Sequence, residues 1–135
     1  MGISIWSKAN PTIKISMGYM RFGNIRMDIA NAYNYEIGLI NESLYKTFNQ
    51  DDRKELEKKF ESIYKIADRK TKILMNFLCK KDTGDSASKN MCKIILELKE
   101  KVFDLNKEYK EYTQTYLIPF FLVIEAGCNK GIEWC

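Results

Sequence analysis

The spacing of apolar residues changes period twice along the chain, which leaves few architectures open. Apolar and polar residues alternate over residues 3–6, 12–17 and 132–134, and a period of two is typical of β-strands. Between these segments apolar residues recur every three or four positions, as they do on the buried face of a helix. Both ends of the sequence are therefore expected to contribute strands, and the middle is expected to contribute helices.

We predict a mostly helical α+β protein in which four to five helices pack with a small antiparallel sheet. The sheet is built from an N-terminal hairpin and the C-terminal tail. The helices are expected at residues 23–33, 36–48, 51–77, 91–105 and 107–127. Ser86 or Ser88 is expected to cap the fourth helix. Pro119 should kink the fifth helix or mark a restart of it, and Gly127 should end it.

The length of the chain indicates one small domain, residues 1–135, and its charged residues are unevenly distributed. At 45% hydrophobic residues the chain can bury a core, and its apolar runs are too short to span a bilayer. The start of the chain lacks the pattern of a secretory signal. Residues 1–81 carry 15 Lys and Arg against 9 Asp and Glu, which favours an anionic partner. This excess is smaller than that of a dedicated DNA-binding domain.

The residue inventory argues against an enzyme. The chain contains no histidine, so Ser-His-Asp and Cys-His arrangements are excluded. Its four cysteines lack the spacing of a zinc site, and no glycine-rich phosphate loop occurs. The turn at residues 82–85 departs from a calcium loop because its glycine comes too early. We therefore expect a non-catalytic protein without a cofactor or a metal.

The segment at residues 16–26 is the best candidate for a binding site. It places glycines, arginines and aromatic residues where a strand leads into a helix. Helix-start N–H groups and arginine bind phosphate, and aromatic faces stack on bases. The candidate ligand-binding residues here are Tyr19, Arg21, Phe22 and Arg26. In the alternative interpretation the two aromatic residues belong to the core and the two arginines to the surface.

Other aromatic residues allow both interpretations as well. Trp134 either lines the same pocket, which makes it a fifth candidate ligand-binding residue, or packs on Trp6 across the terminal strands. The tyrosines at 109, 112 and 116 recur at helical spacing, and we interpret them as packing residues.

The chain resembles a family of small, mostly uncharacterised accessory proteins of bacterial phages and prophages. The matching features are the Met-Gly-Ile opening, Ser7-Lys8, Gly18-Tyr19, Phe22, Arg26, Ile29-Ala30, Gly38, Cys92-Lys93-Ile94, and Cys128 followed by Ile132-x-Trp134. The family has a D-x-D-G turn before a central helix, from which the turn at residues 81–85 departs. The resemblance implies a counter-defence factor that acts in the host bacterial cytoplasm.

Three functions are compatible with this resemblance. The first is a sponge that binds and sequesters a cyclic or ADP-ribose-type nucleotide, an anionic signal of bacterial immunity. The second is an inhibitor that binds a host defence protein, and the third is a nucleic-acid-binding accessory protein. No membrane partner is expected, and self-association into a homo-oligomer stays open.

Overall fold

Four short strands and eight α-helical segments lie within residues 2–135, the part of the chain that the computed structural model describes, and a π-helical turn joins the last two segments, so that there are seven continuous helices. Met1, the first residue of the Met-Gly-Ile opening, lies outside the described residues. The prediction of a mostly helical α+β fold with a small antiparallel sheet is confirmed. The helices outnumber the four to five expected because two of the predicted helices are each divided in two.

The sheet joins the two ends of the chain. Its strands are β1 (Gly2–Ser7), β2 (Lys14–Gly18), β3 (Asp85–Ala87) and β4 (Ile132–Trp134), in the order β2-β1-β4-β3 with every pair antiparallel. The N-terminal hairpin and the strand from the C-terminal tail are both confirmed. The sequence did not predict β3, because Asp85-Ser86-Ala87 contains a single apolar residue and therefore shows no alternation of apolar and polar side chains.

The helices follow in chain order. They are α1 (Tyr19–Tyr33), α2 (Tyr35–Lys46), α3 (Gln50–Ile66), α4 (Arg69–Leu78), α5 (Lys89–Glu97), α6 (Lys99–Leu105), α7 (Lys110–Tyr112) and α8 (Ile118–Lys130). A π-helical turn, Thr113–Leu117, connects α7 to α8 without a break, so these three segments form one continuous helix.

Side-chain caps explain where several helices begin. Ser88 accepts a hydrogen bond from the N–H of Met91 and caps α5. Of the two predicted caps, Ser86 and Ser88, the second is therefore confirmed. The expected helix over 51–77 is wrong, because the chain leaves helical geometry at Ala67. Asp68 then accepts a hydrogen bond from the N–H of Thr71 and starts α4. The expected helix over 91–105 is likewise divided, at Leu98.

The last helix agrees with its prediction at one of the two marked positions. The α-helix restarts beside Pro119, as one of the two predicted alternatives has it: the π turn Thr113–Leu117 precedes it, and proline occupies the first turn of α8. Gly127 does not end the helix. A Cβ at Gly127 would lie 2.8 Å from the Cys92 sulfur, so glycine is needed there for close packing. The stop is Gly131, with φ of +94°.

The core lies between one face of the sheet and helices α1, α4, α5 and α8. Its largest fully buried side chains include Ile5, Phe22, Ile25, Ile29, Phe77, Ile95, Phe120 and Trp134. The apolar side of α3, including Phe60 and Ile63, is only partly buried against this core. The most regular helical pattern of the sequence therefore belongs to a peripheral helix.

Candidate functional site

Helix α1 carries four of the five predicted site residues, and it begins earlier than expected. Gly18 is extended, with φ of −72° and ψ of 160°, and serves as the N-cap. Gly23, the predicted start, lies inside the helix, where an added Cβ would be 2.9 Å from the Tyr45 ring. Arg21 and Arg26 are therefore both helical, five positions apart, and α1 directs them to different surroundings. The guanidinium groups of Arg21 and Arg26 therefore do not converge on a common site before the helix.

Arg26 is an interior residue with an exposed fraction of 1%. Its Nη1 donates to the carbonyl of Lys80 at 2.7 Å, and its Nη2 donates to the carbonyl of Lys81 at 3.2 Å. Nη2 also pairs with the Asp82 carboxylate at 3.0 Å. The guanidinium lies 4.2 Å from the centroid of the Phe22 ring. Arg26 thus fastens α1 to the segment that follows α4.

Trp134 and Phe22 complete the surroundings of Arg26. Trp134 is 1% exposed, and its Nε1 donates to the Lys81 carbonyl at 2.9 Å. The Trp134 and Phe22 rings pack edge to face, with their centroids 5.3 Å apart. Trp6 pairs with Glu133 in the sheet, so its side chain lies on the opposite face from that of Trp134. Phe22, Arg26 and Trp134 are brought together, but as an internal cluster.

Arg21 and Tyr19 lie outside this cluster. The Arg21 guanidinium carbon is 5.2 Å from the Tyr112 ring centroid and 4.4 Å from the Tyr116 ring centroid. Tyr19 is partly buried against the core. The structure therefore separates the five predicted site residues into an internal cluster of three and two residues with different neighbours.

Arg26 also reaches the wall of a cleft, here called the first cleft, between α1, α2, α3 and the end of α4. It has a volume of about 540 Å³, and its lining includes Arg26, Asn41, Tyr45, Arg53, Phe60 and Lys80. Two buried donors in this wall, Arg26 Nε and Asn41 Nδ2, have no hydrogen-bond partner within residues 2–135. Such donors normally bind an acceptor.

The cations of the first cleft are paired at its rim. Arg53 Nε lies 3.3 Å from the Glu57 carboxylate, and Arg53 Nη1 donates to the Leu44 carbonyl at 2.7 Å. Lys80 Nζ lies 3.7 Å from the Asp85 carboxylate. The lysine pair is long and the arginine pair is half exposed, so neither pair is expected to resist competition by a stronger anion.

Burial sets the protonation states inside the first cleft. It raises the pKa of the Tyr45 phenol and the pKa of the Cys79 thiol, so both groups stay protonated at neutral pH. It lowers the pKa of Arg26, against the opposing effects of Tyr45 and Asp82, but an arginine remains charged in proteins. The first cleft consequently presents donors from Arg26, Arg53 and Lys80 beside the carboxylates of Glu57 and Asp82.

Sequence reasoning missed Asn41, Tyr45 and Arg53, which α2 and α3 bring to the first cleft. Asn41 alone carried a signal, since a polar side chain lies beside Ile37 and Ile40 on the apolar side of α2. Tyr45 and Arg53 look like ordinary surface residues in the sequence.

Comparisons with family models, with characterised proteins and with solved structures find no match to this chain. Within residues 2–135, no helix is both long enough and apolar enough to cross a membrane. The same residues contain no group of three or more acidic or cysteine side chains arranged to hold a metal ion.

Proposed function

We propose that this protein is a phage accessory counter-defence factor that binds and sequesters an anionic nucleotide signal in the first cleft, without turnover, in the host bacterial cytoplasm. The observation that carries the proposal is that Arg26 and Asn41 both line the first cleft and that each has a buried donor atom, Arg26 Nε and Asn41 Nδ2, without a partner within the described chain. A buried donor without a partner costs roughly 1–3 kcal/mol, and a phosphate or carbonyl oxygen would remove that cost.

The rest of the cleft suits the other parts of a nucleotide. Arg53 and Lys80 line it, and Arg53 can exchange its exposed carboxylate partner, Glu57, for phosphate oxygens, which arginine contacts through two N–H groups. Tyr45 and Phe60 supply aromatic surface, on which a base can stack irrespective of its identity. A cyclic or ADP-ribose-type nucleotide combines these chemical groups.

Binding without turnover follows from the same residues. The cleft has no histidine to act as a general base. Its one thiol, Cys79, has a raised pKa because of burial, so little of the nucleophilic thiolate exists at neutral pH. The nucleotide recovered from the complex after denaturation is therefore expected to be intact. Product that accumulates in proportion to the protein would contradict this proposal.

Arg53→Ala tests the site. Loss of one charge-assisted phosphate contact typically costs roughly 1.5–3 kcal/mol, so the nucleotide affinity should fall about tenfold or more. Isothermal titration against cyclic nucleotides and ADP-ribose measures the affinity, and the melting temperature of each unliganded variant checks the fold.

Lys58→Ala is the matched control, because Lys58 is an exposed cation on α3 outside the first cleft. It removes the same charge and should bind nucleotide as the wild type does. Equal affinity of wild type, Arg53→Ala and Lys58→Ala for every nucleotide that binds would rule out the first cleft. Equal weakening by both variants would indicate a general charge effect.

An inhibitor of a host defence protein is the second candidate. Tyr35 and Leu39 are exposed one turn apart on α2, and Phe48, just beyond that helix, is almost fully exposed. Apolar side chains grouped in this way are common where one protein binds another. Capture of one host protein that Tyr35→Ser or Leu39→Ser abolishes would favour this function over the sponge.

A further inference from the structure

Helices α1 and α2 also line a second cleft, which the proposed function does not use. It has a volume of about 360 Å³, and its lining includes Arg21, Asn24, Asp28, Asn31, Glu42 and Asn106. Its walls offer three amide side chains, two carboxylates and one arginine, whereas the first cleft is lined by three cations, among them Arg26 with its unpartnered Nε. The two clefts are therefore expected to take chemically different groups.

Asp28 is the distinctive group of the second cleft. Its Oδ2 accepts hydrogen bonds from Tyr112 Oη at 2.8 Å and from Asn106 Nδ2 at 3.3 Å. Its Oδ1 makes no hydrogen bond to any residue from 2 to 135, and no cation among them lies within ion-pair distance of this carboxylate. A partly buried carboxylate thus keeps one oxygen available to a ligand.

Neighbouring contacts hold Asp28 in place. Asn106 is itself buried and also donates to the Val102 carbonyl at 2.9 Å. Tyr112 is the last residue of α7 and directly precedes the π turn. The centroids of the Tyr112 and Tyr116 rings are 6.3 Å apart, and the Arg21 guanidinium lies over both rings. A π turn inside a helix is uncommon and is frequently found at functional sites. The carboxylate is therefore pre-organised for binding.

We propose that the second cleft binds a guanine base through the carboxylate of Asp28. The Watson–Crick edge of guanine presents two adjacent donors, N1–H and the 2-amino group. Asp28 Oδ1 can accept one of them, and Oδ2 can accept the other in place of its 3.3 Å contact with Asn106, whose amide keeps its hydrogen bond to the Val102 carbonyl. The guanidinium plane of Arg21 and the exposed ring of Tyr109 supply surfaces of the kind on which bases stack.

The experiment uses guanosine, which lacks the phosphate that the first cleft is proposed to hold, and the Asp28→Asn variant distinguishes binding in the second cleft from stacking in the first. Guanosine is expected to bind the whole chain, as measured by isothermal titration. Inosine lacks the 2-amino group, and adenosine presents a different edge, so both should bind at least about tenfold more weakly. Arg53→Ala, which alters the first cleft, should leave guanosine affinity unchanged.

Asp28→Asn is the decisive variant. It keeps an oxygen for Tyr112 and Asn106 but replaces the available acceptor with an N–H donor, so guanosine affinity should fall at least about tenfold. Burial raises the pKa of Asp28 despite hydrogen bonds from Tyr112 and Asn106. Its ionised form therefore costs native stability, and this cost appears as the pH rises through the raised pKa. The variant should consequently melt no lower than wild type at pH 7.

Three results would overturn the assignment. They are the absence of guanosine binding at millimolar concentration, equal affinity for guanosine and adenosine, and unchanged guanosine affinity in Asp28→Asn. A variant that melts well below wild type would be replaced by Asp28→Glu, which keeps the charge but moves it by one methylene group. In that case a retained fold with weakened guanosine binding supports the assignment, and unchanged binding contradicts it.

Discussion

Replacing Arg26 with alanine is expected to lower the free energy of unfolding by about 3–5 kcal/mol. The side chain fills space between the rings of Phe22 and Phe77, and its removal leaves the Lys80 carbonyl without its donor. The ion pair with Asp82 contributes little to this loss, because the Asp82 side chain is 61% exposed. Most of the effect comes from the cavity and the lost carbonyl contacts.

Thermal unfolding measures this effect, and a fall in melting temperature of roughly 10–20 °C is expected for Arg26→Ala. Arg21→Ala is the control on the same helix. It removes a partly exposed guanidinium that rests on Tyr112 and Tyr116, and contacts of that kind contribute about 0.5–1 kcal/mol. Melting temperatures within a few degrees of each other for the two variants would show that Arg26 does not fasten α1 to the segment after α4.

Gly131→Ala is expected to destabilise the fold by about 3 kcal/mol or more. Gly131 combines φ of +94° with ψ of −177°, a region that is accessible essentially only to glycine. An added Cβ would also lie 2.5 Å from the backbone carbonyl oxygen of Ala87, and a backbone atom cannot swing aside. Strain and steric overlap therefore act together where α8 passes into β4.

Gly84→Ala is the matched control, since Gly84 also has a positive φ, of +73°, but an added Cβ there would have no atom within 4 Å. Only the left-handed conformation is then penalised, at roughly 1–2 kcal/mol. Urea unfolding of both variants separates the two contributions. If Gly131→Ala lost no more stability than Gly84→Ala, the close approach to Ala87 would have no energetic consequence.

The elements that the sequence predicted are those whose signal is local. The alternation along β1, β2 and β4 predicted the three strands. It also predicted that the two ends of the chain share one sheet, because the apolar face of each strand must be buried against the same core. The divisions at Asp68 and Leu98 were missed for a different reason. The apolar spacing continues across both positions, so periodicity alone cannot show that the helix axis changes there.

The candidate site was less accessible to sequence reasoning, because its residues depend on distant partners. Arg26 looks like a surface residue in its own segment, and its burial follows from acceptors 54 to 56 positions later in the chain. Asp28 depends on Tyr112, 84 positions away. The tyrosines were interpreted as packing residues, and only the tertiary structure shows that one of them holds a carboxylate.

The order of the strands determines which parts of the sheet can form while the chain is being synthesised. Strand β4, which follows the other three strands in the chain, lies between β1 and β3, so β3 has no neighbour in the sheet until residues 132–134 have left the ribosome. Those residues also include Trp134, whose indole holds the Lys81 carbonyl beside Arg26. A nascent chain that lacks them can form its hairpin and its local helices, but it lacks the hydrogen bond that holds the Lys81 carbonyl between Lys80 and Asp82, two lining residues of the first cleft. That part of the cleft should therefore reach its final geometry only after residues 132–134 have been made.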